Sequence, residues 1–292
     1  LYNLAVVIDD EEMKITHIIR GDDHISNTPK QIIIQEILGF KMPVYAHLPL
    51  ILGPDKSKLS KRHGATSVIE YREMGYLPSA LANFIAMLGW GPNSDKELFA
   101  LNDLEKEFDI ERIHSSGAIF NIQKLDWFNA QHIKKISNEE LVEFCIPYLL
   151  EAGLISEKTD REWLNKIIAL EKERIKKITD IVKLIDFFFI VPNYPADLLV
   201  WGKSDKSKML ISLKASLSAL SDLDVDQFTI ANIKDILSQI AEKSSNGEVY
   251  WPIRVALSGK AASLGPLEIA ETLGKERTIE RLVLAINKLE DC

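Results

Sequence analysis

The chain has 292 residues, of which 46% are hydrophobic and 27% charged, as in a globular protein of about two domains. Its formal net charge of −8 argues against a basic surface for nonspecific nucleic-acid binding, although local basic patches stay compatible with RNA recognition. The sequence lacks the 18-residue apolar run of a membrane span. Two cysteines, Cys145 and Cys292, are too few for a disulfide framework or a zinc site and fit a reducing cytosol.

The N-terminal part of the sequence predicts strands and one helix. Leu4–Ile8 and Ile15–Ile19 are apolar runs separated by an acidic turn, so we expect two strands, the second buried on both faces. A helix should run from Thr28, as its N-cap, to Leu38. With a strand near residues 48–52, this order matches the second half of a doubly wound nucleotide-binding fold, where ligands bind at the carboxyl ends of parallel strands.

A basic loop follows the last of these strands. Residues 53–64 carry three lysines and one arginine between two glycines. The repulsion among these cations must be offset by an anion or by full solvation. Flexible ammonium groups beside free backbone N–H groups suit a polyphosphate. The alternative is a solvated surface loop that binds no ligand.

The sequence after Thr66 predicts helices. Ser67 should cap the first of them through a capping box with Glu70, and Ser137 opens a longer helical half in the same way. The apolar spacing predicts further helices at 78–88, 102–108, 138–152, 160–177, 180–190, 205–220, 229–243, 250–258 and 266–290, the last broken near Gly274. The predicted fold class is therefore mainly α.

Several motifs resemble a known family. Residues Lys58–Arg62 have the sequence Lys-Leu-Ser-Lys-Arg, which resembles the KMSKS loop of class I aminoacyl-tRNA synthetases in the form common among glutamyl-tRNA synthetases. Other segments are similar to bacterial glutamyl-tRNA synthetases, in the family's order: Thr16–Pro29, Tyr45–Pro49, Tyr71–Pro78, Leu88–Trp90, Lys124–Trp127 and Arg254–Lys260. The resemblance therefore spans most of the chain.

The resemblance implies three domains. Residues 1–66 would form the C-terminal half of a class I Rossmann-type α/β catalytic domain, 67–134 a helical stem-contact domain, and 135–292 an all-helical anticodon-binding domain. Because Leu1 is not a methionine and a strand is predicted at once, we expect the chain to begin part-way through a domain. The helical C-terminal half differs from that of glutaminyl-tRNA synthetase, whose anticodon domains resemble β-barrels.

The activity that the resemblance implies is ATP-dependent activation of L-glutamate to glutamyl-adenylate, followed by transfer to the 3′ end of tRNA(Glu). Negative charge grows on the departing pyrophosphate, so positioned cations stabilise the transition state. In the family the second lysine of the loop contacts ATP, which implies Lys61 here, with Lys58 assisting. Ser60, Leu59 and Arg62 complete the implied ATP site, and Mg²⁺ would arrive with the ATP.

The resemblance also implies that Arg20, Tyr2 and His24 face the glutamate substrate. Arg20 ends an apolar strand, where a charge is costly unless it meets an anion, and a planar guanidinium suits a dicarboxylate. Two alternatives stay open. Arg20 could form a structural pair with Asp22 or Asp23, and His24 could be a loop residue beside the start of the helix.

For tRNA(Glu) the resemblance implies Arg72 in the stem-contact domain and Arg174 and Arg254 in the C-terminal half. Taken alone, Arg174 would lie on a solvated helix face. Further candidates for contact with tRNA are Lys124, Lys260 and the loop near Ser115. We expect no zinc or other metal site in these residues, no membrane partner, a monomer and a cytoplasmic location.

One family signature does not occur in the sequence. Class I synthetases also carry a HIGH-type motif, and the 292 residues contain no His-x-Gly-His pattern. We therefore expect the chain, expressed alone, to form no aminoacyl-adenylate. Two other functions stay open: a noncatalytic tRNA-binding module, and a glutamylating enzyme that also charges tRNA(Gln).

Overall fold

The computed structural model describes residues 1–64, 67–114 and 116–291, with the backbone but not the side chain of Lys61. The chain divides into two compact units, Leu1–His132 and Ile133–Cys292. Within the described residues, no helix is both long and apolar enough to cross a membrane. The division into residues 1–66, 67–134 and 135–292 stays a prediction.

The first unit begins with an α/β segment. Its helices are α1, Tyr2–Glu12, and α2, Thr28–Leu38, and its strands are β1, His17–Gly21, and β2, Val44–Leu48. The strands pair in parallel, with His17 opposite Val44 and Gly21 opposite Leu48. A short 3-10 turn, Asp22–His24, follows β1 directly. The helix α2 therefore forms the crossover between two parallel strands, as the sequence pattern predicts.

Two of the predicted strands are wrong. Leu4–Ile8 lies within α1, where Val7 is buried while Leu4 and Ile8 are 45% and 36% exposed. An apolar run of this length carries no clear period, so helix and strand cannot be distinguished from it. The strand expected near 48–52 lies earlier in the chain, as β2.

Two details of β1 and α2 also differ from the prediction. Ile19 is 46% exposed, so β1 is not buried on both faces. Thr28 is not the N-cap of α2, because Asn27 precedes the helix and makes no side-chain cap bond. The Thr28 hydroxyl instead faces Arg20 and His47. The Thr28 side chain, which could cap the helix, therefore contacts residues of the two strands.

Helices form the rest of the first unit. In the described residues they are α3, Val68–Glu73; α4, Pro78–Gly89; α5, Leu101–Glu107; and α6, Ile122–Lys135. Ser67 caps α3 through the predicted capping box. The sequence pattern does not predict α6, because its buried stripe contains two polar residues, Asn129 and His132, beside Leu125, Phe128 and Ile133.

The second unit is helical throughout its described residues. Its helices are α7, Asn138–Glu151; α8, Arg161–Glu171; α9, Asp180–Phe189; α10, Lys206–Ser221; α11, Ile230–Ala241; α12, Asn246–Ser258; α13, Pro266–Leu273; and α14, Lys275–Glu290. The break predicted near Gly274 separates α13 from α14. The helix predicted at 160–177 is shorter, because α8 gives way to a 3-10 turn, Lys172–Arg174.

Basic side chains of α14 donate hydrogen bonds to carbonyl oxygens at the C-terminal ends of other helices. The buried guanidinium of Arg281 donates to the carbonyl oxygens of Phe187, near the end of α9, and Leu257, near the end of α12. Lys275 donates to the Ser221 carbonyl at the end of α10, over 2.8 Å. The last carbonyls of a helix have no partner within it, so these cations satisfy them. Burial lowers the pKa of Arg281 to about 10, which leaves it charged at neutral pH.

Candidate functional site

The basic loop and the segment after β1 meet at the carboxyl ends of the two parallel strands. The Nζ atom of Lys58 lies 3.3 Å from Oδ2 of Asp23, which belongs to the turn that follows β1. This hydrogen bond is the main reason that the pKa of Asp23 lies below its usual value. The two side chains are 64% and 46% exposed. Because exposed ion pairs contribute little to stability, Lys58 can leave Asp23 when an anionic ligand arrives.

The loop also bonds to itself. Ser57 donates to Oδ1 of Asp55 from its backbone N–H at 3.0 Å and from its hydroxyl at 2.7 Å, and these bonds hold the pKa of Asp55 well below its usual range. The Arg62 guanidinium lies 3.4 Å from Oδ2 of Asp55 and 2.6 Å from the Ser57 hydroxyl oxygen. Arg62, a predicted ATP contact, is therefore engaged within the loop.

Arg20 lies in β1 with its guanidinium among polar and aromatic groups. Its Nη2 donates to the Thr28 hydroxyl oxygen at 2.7 Å, and its Cζ lies 5.5 Å from the centroid of the Tyr45 ring. Within the described residues no ion pair joins Arg20 to Asp22 or Asp23, so the structural pair considered from sequence is wrong. The nearest carboxylate effect is on Asp10, whose pKa is raised by burial and lowered by the Arg20 charge, and the buried Nε of Arg20 has no hydrogen-bond partner.

The hydroxyl of Thr28 connects the residues of this cluster. It accepts from Arg20, lies 2.9 Å from Nε2 of His47, and lies 3.3 Å from the carbonyl oxygen of His24. Thr28 itself is buried, with 9% of its surface exposed. The sequence indicates neither Thr28 nor His47 as part of the site. Their position follows from the strand register, which places His47 opposite Arg20 and which the sequence pattern does not reveal.

Tyr2 and His24, the other predicted glutamate contacts, are neighbours. Their ring centroids are 6.4 Å apart, although Tyr2 comes from α1 and His24 from the turn after β1. His24 also lies 3.4 Å from the side-chain nitrogen of Asn27. The structure therefore brings Tyr2 beside His24, and Thr28 links His24 to Arg20. The Lys61 side chain and Ser115 lie outside the described residues.

The predicted tRNA contacts lie in both units. Arg72 is exposed on α3 in the first unit. In the second unit, Nη1 of Arg174 contacts both carboxylate oxygens of the fully buried Glu171 at 2.9 and 2.7 Å. Burial raises the pKa of Glu171, and the Arg174 charge opposes this rise. Arg174 is exposed, as the solvated face considered from sequence expects, but it lies in a 3-10 turn and pairs with Glu171. Arg254, in α12, has a buried Nε without a partner.

The potential metal ligands are dispersed in the part of the chain that the structure describes. No group of three or more His, Cys, Asp or Glu side chains there is arranged to hold a metal ion. The cysteine that the structure describes, Cys145, is buried, and burial raises the pKa of its thiol to about 12. A magnesium ion needs only one or two protein carboxylates when phosphate oxygens supply other ligands, so this finding leaves metal-bound ATP as a possible ligand.

Known proteins match this chain over nearly its whole length. Residues 1–127 match the catalytic domain of class I tRNA synthetases (E and Q), and residues 140–286 match an anticodon binding domain. The crystal structure of a glutamate tRNA ligase from Elizabethkingia meningosepticum, in complex with its amino acid, superposes with a TM-score of 0.87 at 35% identity. That likeness covers 99% of this chain and 60% of the other. The chain belongs to the glutamyl-tRNA synthetase family.

Curated relatives in the glutamyl-tRNA synthetase family support the same assignment. Glutamate–tRNA ligase 2 of Thermoanaerobacter pseudethanolicus is 40% identical over 291 residues, which are 99% of this chain and 60% of that protein. Glutamate–tRNA ligase 1 of Caldicellulosiruptor saccharolyticus is 43% identical over 290 residues, 96% of this chain and 59% of that protein. The chain thus spans about 60% of the length of these relatives. The predicted fold class, mainly helical with a class I catalytic part, is confirmed.

Proposed function

We propose that the protein to which this chain belongs is a glutamate–tRNA ligase. It activates L-glutamate with ATP and transfers the glutamyl group to the 3′ end of tRNA(Glu). The observation that carries this proposal is the contact between Lys58 and Asp23, which joins the basic loop to the segment after β1. Ligands of parallel α/β sheets bind at this edge, so a triphosphate and an amino acid can meet there.

In the activation step the chain mainly supplies positively charged side chains that are positioned beside the phosphates. A carboxylate oxygen of glutamate attacks the α-phosphorus of ATP, the bond to the bridging oxygen breaks, and pyrophosphate leaves with the electron pair. Lys61 and Lys58 then face the growing negative charge, with Leu59, Ser60 and Arg62 shaping the loop around the phosphates. Cations that meet this charge only in the transition state raise the rate rather than the binding of ATP. Mg²⁺ enters with the nucleotide.

The side-chain carboxylate of glutamate is the natural partner of Arg20. Among the described residues no carboxylate lies within ion-pair distance of the guanidinium, although its charge acts on Asp10, and the Thr28 hydroxyl holds one of its nitrogens. A fixed guanidinium binds a carboxylate through paired hydrogen bonds, which favours an acidic side chain over its amide. Tyr2 and His24, with ring centroids 6.4 Å apart, form the adjoining wall.

The tRNA contacts follow the proposed division of the chain. In this proposal the α/β segment at 1–66 holds ATP and glutamate, the helices at 67–134 contact the tRNA stem through Arg72, and 135–292 reads the anticodon. Arg174 is the candidate anticodon contact, and Arg254 is a candidate contact with tRNA phosphate. The orientation of Arg174 by a buried carboxylate supports an anticodon contact, because a pre-organised guanidinium loses little freedom when it binds. We further propose that the protein is a cytoplasmic monomer.

The test is glutamate-dependent ATP–pyrophosphate exchange, followed by charging of purified tRNA(Glu) and tRNA(Gln). The natural protein, produced from its complete reading frame, should catalyse exchange and charge tRNA(Glu). The 292 residues by themselves should not, because they contain no HIGH-type motif. Charging of both tRNAs would identify an enzyme of relaxed specificity. Binding of tRNA without exchange by the natural protein would identify a noncatalytic module and contradict the proposal.

A further inference from the structure

His63 follows the last basic residue of the loop and is nearly buried. Its side chain is 9% exposed, although the loop around it is mostly open to solvent. The Ser60 N–H donates to Nδ1 of His63 at 3.1 Å, and Nε2 of His63 lies 3.2 Å from Oδ1 of Asp55. One ring therefore contacts both the middle and the beginning of the loop.

These two contacts define the tautomer of His63. A ring nitrogen that accepts a backbone N–H carries no hydrogen, so Nδ1 is bare and the neutral ring holds its hydrogen on Nε2. That hydrogen points to the Asp55 carboxylate, which accepts it. The Nε–H of Arg62 also points to Nε2, at 3.3 Å, and competes with the Asp55 carboxylate for that nitrogen. The ring thus makes one bond as an acceptor and one as a donor, and each needs a different nitrogen.

Gly53 provides the place where the ring lies. A Cβ atom at Gly53 would lie 2.9 Å from three atoms of the His63 imidazole, closer than real Cβ atoms approach other atoms. The backbone of Gly53 also accepts from Lys56 and donates to Ser57, at 2.9 and 2.8 Å. Glycine at this position therefore lets the end of the loop fold back onto its beginning.

Packing alone does not determine the shape of the loop. A cavity of about 470 Å³ lies beside it, lined by Leu59 and His63 of the loop and by Tyr71 of α3 and Met74, which follows α3. A side of the loop that borders empty space gains few contacts from the body of the unit. The N–H of Leu59 donates to the Ile51 carbonyl at 2.9 Å and holds the first part of the loop, while the part-buried bond from the Ser60 N–H to His63 holds the residue before the 3-10 turn.

We infer that His63 is a positioning residue for the activation step: it fixes the backbone at Ser60 and so determines how the loop from Lys58 to Arg62 meets the phosphates. This inference rests on the proposed function. Removing the Nδ1 acceptor should leave the glutamate pocket intact, since that pocket is built on Arg20 and Thr28. The loss should appear in the chemical step, because a small displacement of a catalytic group costs about 10- to 100-fold in rate.

The test uses four variants of the natural protein. H63N keeps an acceptor near the place of Nδ1, H63Q does not, and G53A displaces the ring without changing it. H17N replaces an exposed histidine of β1 and serves as the matched control. We expect kcat for pyrophosphate exchange to fall about 10- to 100-fold in H63Q and G53A, with KM for glutamate and the thermal midpoint unchanged. H63N should stay within about threefold of the natural protein, as should H17N.

A second measurement does not depend on activity. Trypsin should cut the loop of H63Q and G53A after Lys58, Lys61 or Arg62 at least about tenfold faster than that of H63N, with the products identified by mass spectrometry. If H63Q had the same kcat and the same cleavage rate as the natural protein, the inference would be overturned, while the proposed function would stand. A natural protein without exchange would refute the proposed function, and with it the role in activation. Equal loss of kcat in H63N and H63Q would also overturn the inference.

Discussion

Thr28 shows how one side chain organises the proposed glutamate pocket. Its hydroxyl contacts Arg20 at 2.7 Å and His47 at 2.9 Å from a buried position at the start of α2. A guanidinium that loses such a partner is free to rotate away from the direction in which a carboxylate would bind. The pocket therefore depends on a residue that is not itself expected to touch the substrate.

Replacing Thr28 by valine should weaken glutamate binding. A hydrogen bond to a charged group contributes about 1.5–3 kcal/mol, so KM for glutamate in the exchange reaction should rise roughly 10- to 100-fold. KM for ATP should stay the same, because the variant leaves the basic loop unchanged. The matched control is T28S, which retains the hydroxyl and should behave like the natural protein. Equal effects of T28V and T28S on KM for glutamate would contradict the assigned role.

Cys145 should be chemically inert in the folded protein. Burial raises its thiol pKa from 9.0 to about 12, so its thiolate fraction at pH 8 is roughly a thousandfold below that of an ordinary cysteine. Iodoacetamide should label Cys145, followed by mass spectrometry of its peptide, very slowly in the native protein and at the normal rate in the urea-unfolded protein. Rapid labelling under native conditions would show that the helix α7 opens far more often than its packing indicates.

The sequence predicts some contacts between side chains and not others. Lys58 and Asp23 follow different strands, and parallel strands bring their carboxyl ends to one edge, so their meeting follows from the strand, helix, strand pattern. Thr28 and His47 meet Arg20 only through the register that sets His47 opposite Arg20. Register depends on packing against the rest of the unit, which a local pattern does not contain.

Helices of the second unit depend on cations at their ends as much as on their apolar stripes. Arg281 of α14 reaches two carbonyl oxygens, one at the end of α9 and one at the end of α12, from a position that is 3% exposed. These carbonyls would otherwise be buried without a donor, which is costly. One arginine thus connects three helices that are distant in sequence.

Replacing Arg281 by methionine should destabilise the second unit. The change keeps most of the side-chain volume but leaves the carbonyls of Phe187 and Leu257 without their donor, so the free energy of unfolding should fall by about 3 kcal/mol. Urea titration of the chain measures this loss. The matched control, R161M, removes an exposed arginine of α8 that pairs with Glu143 and should cost less than about 1 kcal/mol. Similar losses in the two variants would contradict the role of Arg281.

The elements that the sequence predicts well are those with a strong period or a clear cap. The Ser67 capping box of α3 and the break between α13 and α14 are both confirmed. The segment at Leu4–Ile8 is predicted wrongly, because five apolar residues fit a strand or one face of a helix equally well. In α6 the polar residue Asn129 interrupts the apolar stripe, so the sequence pattern does not predict the helix. The buried amide oxygen of Asn129 accepts a hydrogen bond from the Leu77 N–H at 2.8 Å.

For the chain as a whole, the ordered motifs predict the family better than composition does. A net charge of −8 gives no sign of RNA binding, yet residues 1–127 and 140–286 match synthetase domains. Composition gives no sign of the boundary between the two compact units, because it falls inside α6, which runs unbroken through His132 and Ile133. A continuous helix leaves no composition change from which a boundary could be recognised.

The central claim is that the basic loop acts on the phosphates of ATP during glutamate activation. The direct measurement is kcat for glutamate-dependent pyrophosphate exchange by the natural protein and by K61A. The control is K56N, which removes another charge of the loop and suits the positive φ of 61° at Lys56. We predict that K61A lowers kcat by at least about 100-fold and that K56N lowers it by less than about threefold. Natural kcat in K61A would contradict the account.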